Sequence, residues 1–432
     1  MHIYFSGIGG TGIGPLALIA KQAGYTVSGS DEKDSQYIQY LKKQGIDDIR
    51  IGQTTEQIAA THAHKPIDWY VHSSAVPENH PELVFCRTNR IKASKRDEFL
   101  SGFITERGLK LMAIAGTHGK TTTTAMAVWL FKQLGVPISY SVGAKVSFGG
   151  MGEYDSSSEY FVYECDEFDR NFLAFHPYIS LITGIGWDHH EIYHSQDQYN
   201  GAFRQFLEQS VWKILWRSDL NRLGVVADDH FSVLSEQDSQ IEEIRLAGLF
   251  NRRDAFLVAQ AVHELTKEPL PKLLNLLSDF PGISRRFEKI TDNLYSDYAH
   301  TPEKIVGAMG VAGEIVARTH QKIIVIYEPL TNRRMHYTRD QHHDVFEGSA
   351  RIYWVPSYLA REDPGQPVLA PEELIKSLSP RLQVVARPAQ LDSKLKQAIS
   401  EHITGGDLVL ALSGGGGGSL DEWLRKGFGS ES

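Results

Sequence analysis

Two glycine-rich segments constrain this chain more than anything else in it. Gly7-Ile8-Gly9-Gly10-Thr11-Gly12 and Gly116-Thr117-His118-Gly119-Lys120-Thr121-Thr122 each follow a short apolar run and precede a helix-like stretch. A glycine loop between strand and helix lets backbone N–H groups close on an anion, and the helix N-terminus adds the positive end of its dipole. Both segments therefore predict βα units with phosphate-bearing ligands at the turn. The first fits G-x-G-x-x-G, which makes Gly9, Gly10, Thr11 and Gly12 candidate diphosphate contacts. Asp31 closes the next strand-like run, where a dinucleotide fold places its ribose-binding acid. A tight turn without ligand, and an Asp31 that caps a turn, are the plainer alternatives.

In the second segment Lys120 supplies a point charge for β- and γ-phosphates, Thr121 a hydroxyl for Mg²⁺, and Gly116, Thr117, His118, Gly119 and Thr122 the wrapping backbone. It departs from G-x-x-x-x-G-K-[ST] by carrying Ile114 where the first glycine belongs, and so matches a shorter variant. A nicotinamide oxidoreductase needs only the first loop and a nucleoside triphosphatase only the second. An enzyme that joins a nucleotide-carried substrate at the expense of ATP needs both.

Charge narrows the partners. With 44 Lys and Arg against 53 Asp and Glu, the net charge of −9 argues against nucleic-acid binding. Two cysteines, Cys86 and Cys165, exclude a disulfide scaffold and make a cysteine metal site improbable. No apolar run reaches the roughly 20 residues of a membrane span. The N-terminus runs straight into glycines without a signal-peptide pattern. A cytoplasmic protein, with no membrane partner and monomeric or weakly homodimeric, is the expectation.

Strand-like runs alternate with amphipathic stretches through most of the 432 residues, which predicts α/β layers with largely parallel sheets. Three blocks emerge: 1–106, 107–283 and 284–432. The first has strands at 3–6, 26–29, 69–72 and near 91, with a helix over 15–23. The second has strands at 111–115, 160–164 and 179–183, with a helix over 121–134. Phe280-Pro281-Gly282 punctuates the chain before the third, whose strands fall at 323–327, 352–355 and 408–412. Segment 153–159 reads as a solvated loop. The run Gly414–Gly418 reads as a flexible turn in preference to a ligand-binding backbone nest.

At this point the chain resembles the Mur ligases, the ATP-dependent amide-forming enzymes of peptidoglycan synthesis. Both glycine loops carry the likeness, with Gly29-Ser30-Asp31, Ser73-Ser74-Ala75, Glu164-Cys165-Asp166-Glu167-Phe168-Asp169, Asp188-His189, Arg285-Arg286-Phe287-Glu288 and Asp297-Tyr298-Ala299-His300, in family order. His118 inside the second loop is typical of the alanine-adding branch and of a branch that recycles murein peptides. The resemblance implies an N-terminal Rossmann-like domain for a UDP-sugar, a central P-loop ATPase domain and a C-terminal Rossmann-like domain for the amino acid. It implies ATP and Mg²⁺ as cofactors, and UDP-N-acetylmuramate and L-alanine as substrates. A preformed murein tripeptide is the alternative acceptor; a nicotinamide oxidoreductase and a non-catalytic nucleotide sensor are the alternatives of another class.

Roles carry over residue by residue. The resemblance makes Gly9, Gly10, Thr11, Gly12, Asp31, Ser73 and Ser74 contacts of the UDP-sugar, Lys120 the phosphate-binding lysine, and Thr121, Glu164 and His189 metal ligands. It puts Asn251 on adenine, Asp297 on the ribose of ATP, and one of Arg285 and Arg286 on the γ-phosphate, with Arg286 preferred. Arg334 takes the amino-acid carboxylate, assisted by His300. Asp166, Glu167 and Asp169 also read as an acidic turn, and for Glu167 the solvated turn is the preferred reading. His190 and His194 read as ordinary surface or core histidines. Six positions depart from the family: Gly184 and Gly186 stand in for an Asn-x-Glu, Phe250 for a histidine, Asp254 for an asparagine, and Leu330-Thr331 for a histidine and an arginine.

Overall fold

The computed structural model describes residues 1–189, 192–360 and 362–429, with the side chain of Gln36 left aside. His190 and Arg361 lie outside the described residues. By contacts the chain divides into two units. One comprises Met1–Arg245 with Arg253–Pro281, the other Leu246–Arg252 with Gly282–Ser432.

The first unit holds two sheets. Strands β1 (His2–Ser6), β2 (Thr26–Asp31), β3 (Ile49–Ile51), β4 (Trp69–His72) and β5 (Lys92–Lys95) form a wholly parallel sheet in the order β3-β2-β1-β4-β5. The chain order reverses beside β1, and the crevice at the carboxyl ends of such neighbouring strands is where open α/β sheets bind ligands. The first glycine loop leaves β1 and Ser73-Ser74 leave β4. The second sheet is built from β6 (Lys110–Ala115), β7 (Ile138–Ser141), β8 (Gly152–Glu153), β9 (Tyr160–Glu164), β10 (Ile179–Ile182), β11 (Trp212–Trp216) and β12 (Phe231–Leu234). Its order is β12-β11-β10-β6-β9-β7-β8, antiparallel only between β7 and β8. The second glycine loop leaves the inner strand β6.

One apolar cluster runs through both sheets. Phe5, Phe99 and Phe103 belong to it on one side, Tyr163, Phe172 and Phe206 on the other. Burying large aromatics across the junction supplies the main cohesion between the sheets, and polar groups fix its register. The Tyr163 hydroxyl donates to the buried Asp97 at 3.1 Å, and Ser101 donates to the carbonyl of Ala174 at 2.7 Å.

The second unit carries β13 (Glu288–Thr291), β14 (Leu294–Asp297), β15 (Ile323–Glu328), β16 (Ser349–Trp354), β17 (Ala386–Pro388) and β18 (Leu408–Ser413), in the order β13-β14-β18-β15-β16-β17. Only β13 and β14 pair antiparallel. On β15, Ile323, Val325 and Tyr327 enter one core, while Ile324 and Ile326 enter the other. Alternate side chains point to opposite faces, so an unbroken apolar run marks a strand covered on both.

The three mainly parallel sheets match the expected class. The helices expected over 15–23 and 121–134 run Gly14–Gln22 and Lys120–Gln133, and the strand expected near 91 forms at Lys92–Lys95. Segment 153–159 is less solvated than its composition suggests: Gly152–Glu153 pairs as β8, and Ser158 is buried with its hydroxyl 2.7 Å from that of Ser139. Both cysteines are free and buried. Among the described residues no helix is long and apolar enough to cross a membrane.

Trp354 is fully buried, its ring 4.9 Å from Tyr327 and 5.8 Å from Phe346. Trp354→Ala is expected to cost about 3–5 kcal/mol. Urea unfolding followed by circular dichroism checks this; an unshifted transition would contradict the packing.

Candidate active site

The first glycine loop is shaped by its neighbours. Gly7 adopts φ +77°, open to glycine at no steric cost. At Gly9 the need is proximity: its N–H donates to Asp31 Oδ2 at 2.8 Å, and an added Cβ would stand 3.0 Å from that oxygen. Asp31 Oδ1 also accepts from the N–H of Lys33 at 3.3 Å, so Asp31 braces the loop and caps the following turn. Gly12 makes room for a guanidinium: a Cβ there would overlap Nη1 of Arg96 and lie 3.1 Å from its Cζ. Arg96 in turn reaches Asp97 at 3.3 Å and Asp166 at 3.6 Å. Ser73 and Ser74 are half-buried beyond β4.

The second loop is tied down mostly by backbone. Thr117 N–H donates to the carbonyl of Gly184 at 2.8 Å. The Thr117 hydroxyl donates to the carbonyl of Gly186 at 2.6 Å, accepts from its N–H at 2.8 Å, and meets the Tyr199 hydroxyl at 2.8 Å. Thr183 donates to the carbonyl of His118. The Gly184-Ile185-Gly186 departure thus has a structural use, with Gly184 at φ +147°. Gly119 caps the helix at φ +81° and abuts the buried Asp254, whose Oδ2 would stand 2.8 Å from an added Cβ.

Lys120 is the electrostatic centre. Its ammonium donates to the Gly116 carbonyl at 2.6 Å and to Glu167 Oε2 at 2.7 Å. Burial opposes its charge, but Glu167, Asp166 and Glu164 outweigh burial and hold its pKa above the usual lysine value. Glu167 is fully buried. The preference for a solvated turn at Glu167 is therefore overturned: this carboxylate is the lysine's counterion. The Glu167 backbone carbonyl is held by the Tyr193 hydroxyl at 2.6 Å. Its Oε1 has no hydrogen-bond partner among the described residues and lies 3.7 Å from His189 Nε2. Donor atoms of Asp166, Glu167 and His189 all fall within 4.8 Å of one another. Nearby, Thr121 donates to Glu164 Oε1 at 2.9 Å, and Gly143 leaves space for Glu164 Oε2, 2.8 Å from where its Cβ would be. A hydroxyl and several carboxylates around a phosphate loop suit a hard divalent cation such as Mg²⁺.

The remaining candidates, Asn251, Arg285, Arg286, Asp297, His300 and Arg334, belong to the second unit. Asn251 donates to the Ala247 carbonyl at 2.8 Å, within a segment that Glu314 fastens through Gly248 N–H and Arg252, both at 2.9 Å. Arg285 is committed to structure: it donates to the carbonyls of Ser413 at 3.2 Å and Gly415 at 2.7 Å and faces Asp421. Arg286 lies over the Tyr298 ring at 4.8 Å, with one hydrogen bond to the Arg285 carbonyl. Asp297 accepts from Phe287 N–H at 2.8 Å; burial outweighs that bond and Arg286, and its pKa is raised. His300 donates through Nδ1 to the Tyr298 carbonyl at 2.8 Å. Burial, then Lys304, Arg334 and Arg286, push its pKa well down, so it is neutral with Nε2 as acceptor.

The glycine run is a turn, but a crowded one. A Cβ on Gly414 would stand 2.8 Å from the His300 ring, and one on Gly415 2.7 Å from the Tyr358 ring. Thr331, at φ +63°, caps the helix Asn332–Thr338 by accepting from Arg334 N–H at 3.2 Å. Leu330 bridges to Tyr358. Arg334 Nη1 is buried without a hydrogen-bond partner among the described residues, a donor awaiting an acceptor.

The chain is similar to known proteins over most of its length. A family model described as Mur ligase family, catalytic domain, matches residues 2–107, and the Mur ligase middle domain matches residues 114–235. The UDP-N-acetylmuramate–L-alanine ligase of Salinispora arenicola is 30% identical over 390 residues, 81% of this chain and 73% of its own. The ligase of that name from Clostridium botulinum is 28% identical over 396 residues, 83% of each. Among solved structures, the UDP-N-acetylmuramate-alanine ligase of Thermotoga maritima aligns over 99% of this chain and 98% of its own, with a TM-score of 0.76 at 23% identity. A murein peptide ligase from Psychrobacter arcticus aligns over 100% and 99%, with a TM-score of 0.66 at 21% identity. These two share the fold.

Burial beneath Gly119 pushes Asp254 up to about 8, against a lowering hydrogen bond from Thr123. The unfolded chain carries this group near pKa 4. Between those values the folded state alone holds the proton. The contribution to stability is therefore complete below about pH 4, declines as pH rises, and is gone above about pH 8. Asp254→Asn mimics the protonated form. Thermal melts from pH 3 to pH 9 should show the variant matching the parent at pH 3, exceeding it increasingly from about pH 4 to about pH 8, and by a constant margin above that. A gap independent of pH would contradict this.

Proposed function

The chain belongs to the Mur ligase family, and we propose that within it the protein joins L-alanine to the lactyl carboxylate of UDP-N-acetylmuramate at the expense of ATP. The observation that carries this reading is the pairing of two phosphate loops in one packed unit, the second with a lysine already seated on a buried carboxylate. The relatives that bear the alanine-ligase name extend over most of the chain. A nicotinamide oxidoreductase would leave Lys120, Glu164 and Glu167 without a purpose.

The chemistry sets what the residues must do. A carboxylate is a poor electrophile, so one of its oxygens first attacks the γ-phosphorus of ATP and ADP departs. The amine of alanine then attacks the acyl carbon, phosphate leaves, a proton is lost, and an amide remains. Two anions must meet in the first step, and positioned cations lower that barrier. In this reading Lys120 turns from Glu167 to the phosphates of ATP, cradled by the N–H groups of Gly116 to Thr122. Thr121, Glu164 and His189 would hold Mg²⁺, which would supply positive charge to neutralise the phosphates. Gly9, Gly10, Thr11, Gly12, Asp31, Ser73 and Ser74 receive the UDP-sugar.

In the second unit, Asn251 and Asp297 are assigned to the adenine and ribose of ATP. The commitment of Arg285 to Ser413 and Gly415 supports Arg286 as the arginine for the γ-phosphate. The buried Nη1 of Arg334 supports its assignment to the α-carboxylate, for which guanidinium offers a forked donor. The domain limits proposed with this reading are 1–106, 107–283 and 284–432, and the location proposed is the cytoplasm.

Phosphate release with Mg²⁺-ATP and UDP-N-acetylmuramate, supplying single amino acids and the murein tripeptide in turn, tests the proposal. Release with L-alanine and a product of UDP-muramoyl-alanine mass is expected; release only with tripeptide moves the protein to the recycling branch. Lys120→Ala should abolish release while leaving UDP-sugar affinity within about two-fold, and equal loss of both would refute the assignment of the loops. Arg334→Ala should raise the KM for alanine about ten- to hundred-fold, as befits a lost charged hydrogen bond of about 1.5–3 kcal/mol. An unchanged KM would remove Arg334 from the amino-acid site.

A further inference from the structure

The assigned roles leave Arg96 unused, yet its guanidinium touches both halves of the first unit. It opens the helix Arg96–Glu106 after the edge strand β5. From there it reaches to Gly12, where it fills the space a side chain would take. No other glycine of the first loop would bring a Cβ against a cation. The opposite edge of the guanidinium faces Asp97 through Nε at 3.3 Å and Asp166 through Nη2 at 3.6 Å. Good guanidinium–carboxylate contacts are about 2.7–2.9 Å, so neither acid holds Arg96 tightly. Asp166, in turn, belongs to the group of donor atoms with Glu167 and His189, and Glu167 binds Lys120. An unbroken series of charges therefore runs from the first glycine loop to the second.

We propose that Arg96 is a positioning residue that couples the two loops: a diphosphate at Gly9–Gly12 draws its guanidinium outward, which releases Asp166 to strengthen divalent-cation binding beside Lys120. The proposal rests on the reading that the first loop receives a UDP-sugar. With the first loop empty, Arg96 offsets the charge of Asp166, and a cation near His189 meets a weaker field. A diphosphate offers shorter, forked contacts than the two stretched ones, so the guanidinium shifts toward it and the full carboxylate charge returns. The coupling is reciprocal, since whatever the UDP-sugar does for the cation the cation does for the UDP-sugar. Such an arrangement favours assembly of the phosphorylating site when the acceptor carboxylate is already present.

The test measures binding. Free Mn²⁺ is followed by electron paramagnetic resonance in titrations of the full chain with and without saturating UDP-N-acetylmuramate, and UDP-sugar affinity is taken from calorimetry. In the unsubstituted protein the UDP-sugar should tighten Mn²⁺ binding about five-fold or more, within the usual range of coupling between sites. Arg96→Gln should weaken the UDP-sugar about ten-fold and bind Mn²⁺ tightly whether or not the UDP-sugar is present. Asp166→Asn leaves the arginine in place and guards against an Arg96 variant that fails to fold. It should bind the UDP-sugar at least as well as the parent, and Mn²⁺ weakly and without response to it. A normal response in Asp166→Asn, or in folded Arg96→Gln, overturns the proposal. So does UDP-sugar binding to the unsubstituted chain that leaves Mn²⁺ affinity unchanged. Absence of UDP-sugar binding to the unsubstituted chain would instead overturn the functional reading, and the coupling with it.

Discussion

A lysine enclosed by protein needs an anion, and for Lys120 that anion is Glu167. Leaving either partner alone in the interior would cost about 3–5 kcal/mol, so each fixes the other. The constraint spreads outward. Glu167 can reach the lysine only if the chain after β9 turns back over the loop, and Tyr193 pins that turn through the Glu167 carbonyl. The same turn brings Asp166 toward Arg96 and sets Glu167 beside His189. The lysine's charge is thus satisfied inside the protein, and under the proposed function a phosphate has to compete with Glu167 for it. The pair is a structural lock between the second glycine loop and the turn after β9.

The fold was readable because its signals are local. Short apolar runs located many of the strands, and amphipathic stretches the helices that follow the glycine loops, with most shifts of a residue or two, whereas strands such as β3, β7, β11 and β14 were not expected. The loops were legible as turns between a strand and a helix because the glycines follow an apolar run and precede a helical one. Glu167 was misread because the surrounding acids, Glu164, Asp166 and Asp169, look like a solvated turn in one dimension. What buries Glu167 is a lysine 47 residues earlier in the chain. A charge's burial depends on a partner that local composition does not name. The available clue was the flanking Cys165 and Phe168, apolar residues unusual in a fully solvated acidic loop.

The same distinction separates glycines that look alike. Gly7 and Gly119 are needed for positive φ, which the motif implies. Gly9 and Gly12 are needed for space, one for Asp31 and one for Arg96, and no spacing rule identifies the occupant. In the second unit the five consecutive glycines suggested slack, whereas Gly414 and Gly415 are pressed against His300 and Tyr358. Low complexity speaks to the conformations a segment can reach, and its neighbours decide which of them it keeps.

The departures from the family pattern follow from where hydrogen bonds are made. Gly184 and Gly186 hold the second loop through backbone carbonyls and an N–H, so these contacts do not depend on the side chains that the glycines replace, and Gly184 sits at a positive φ that favours glycine. Thr331 likewise acts as a helix cap, a task suited to a short hydroxyl side chain, and beside it Arg334 keeps a buried nitrogen with no hydrogen-bond partner among the described residues. Asp254 is different. Where a neutral amide would serve, it places a carboxyl in a pocket that disfavours its charge, directly under the glycine that caps the helix after the second glycine loop. A carboxylate there would oppose phosphate charge on the other side of Gly119, and burial keeps it protonated through neutral pH. The substitution is compatible with a phosphate site because the protein interior makes the acid resemble the amide it replaces.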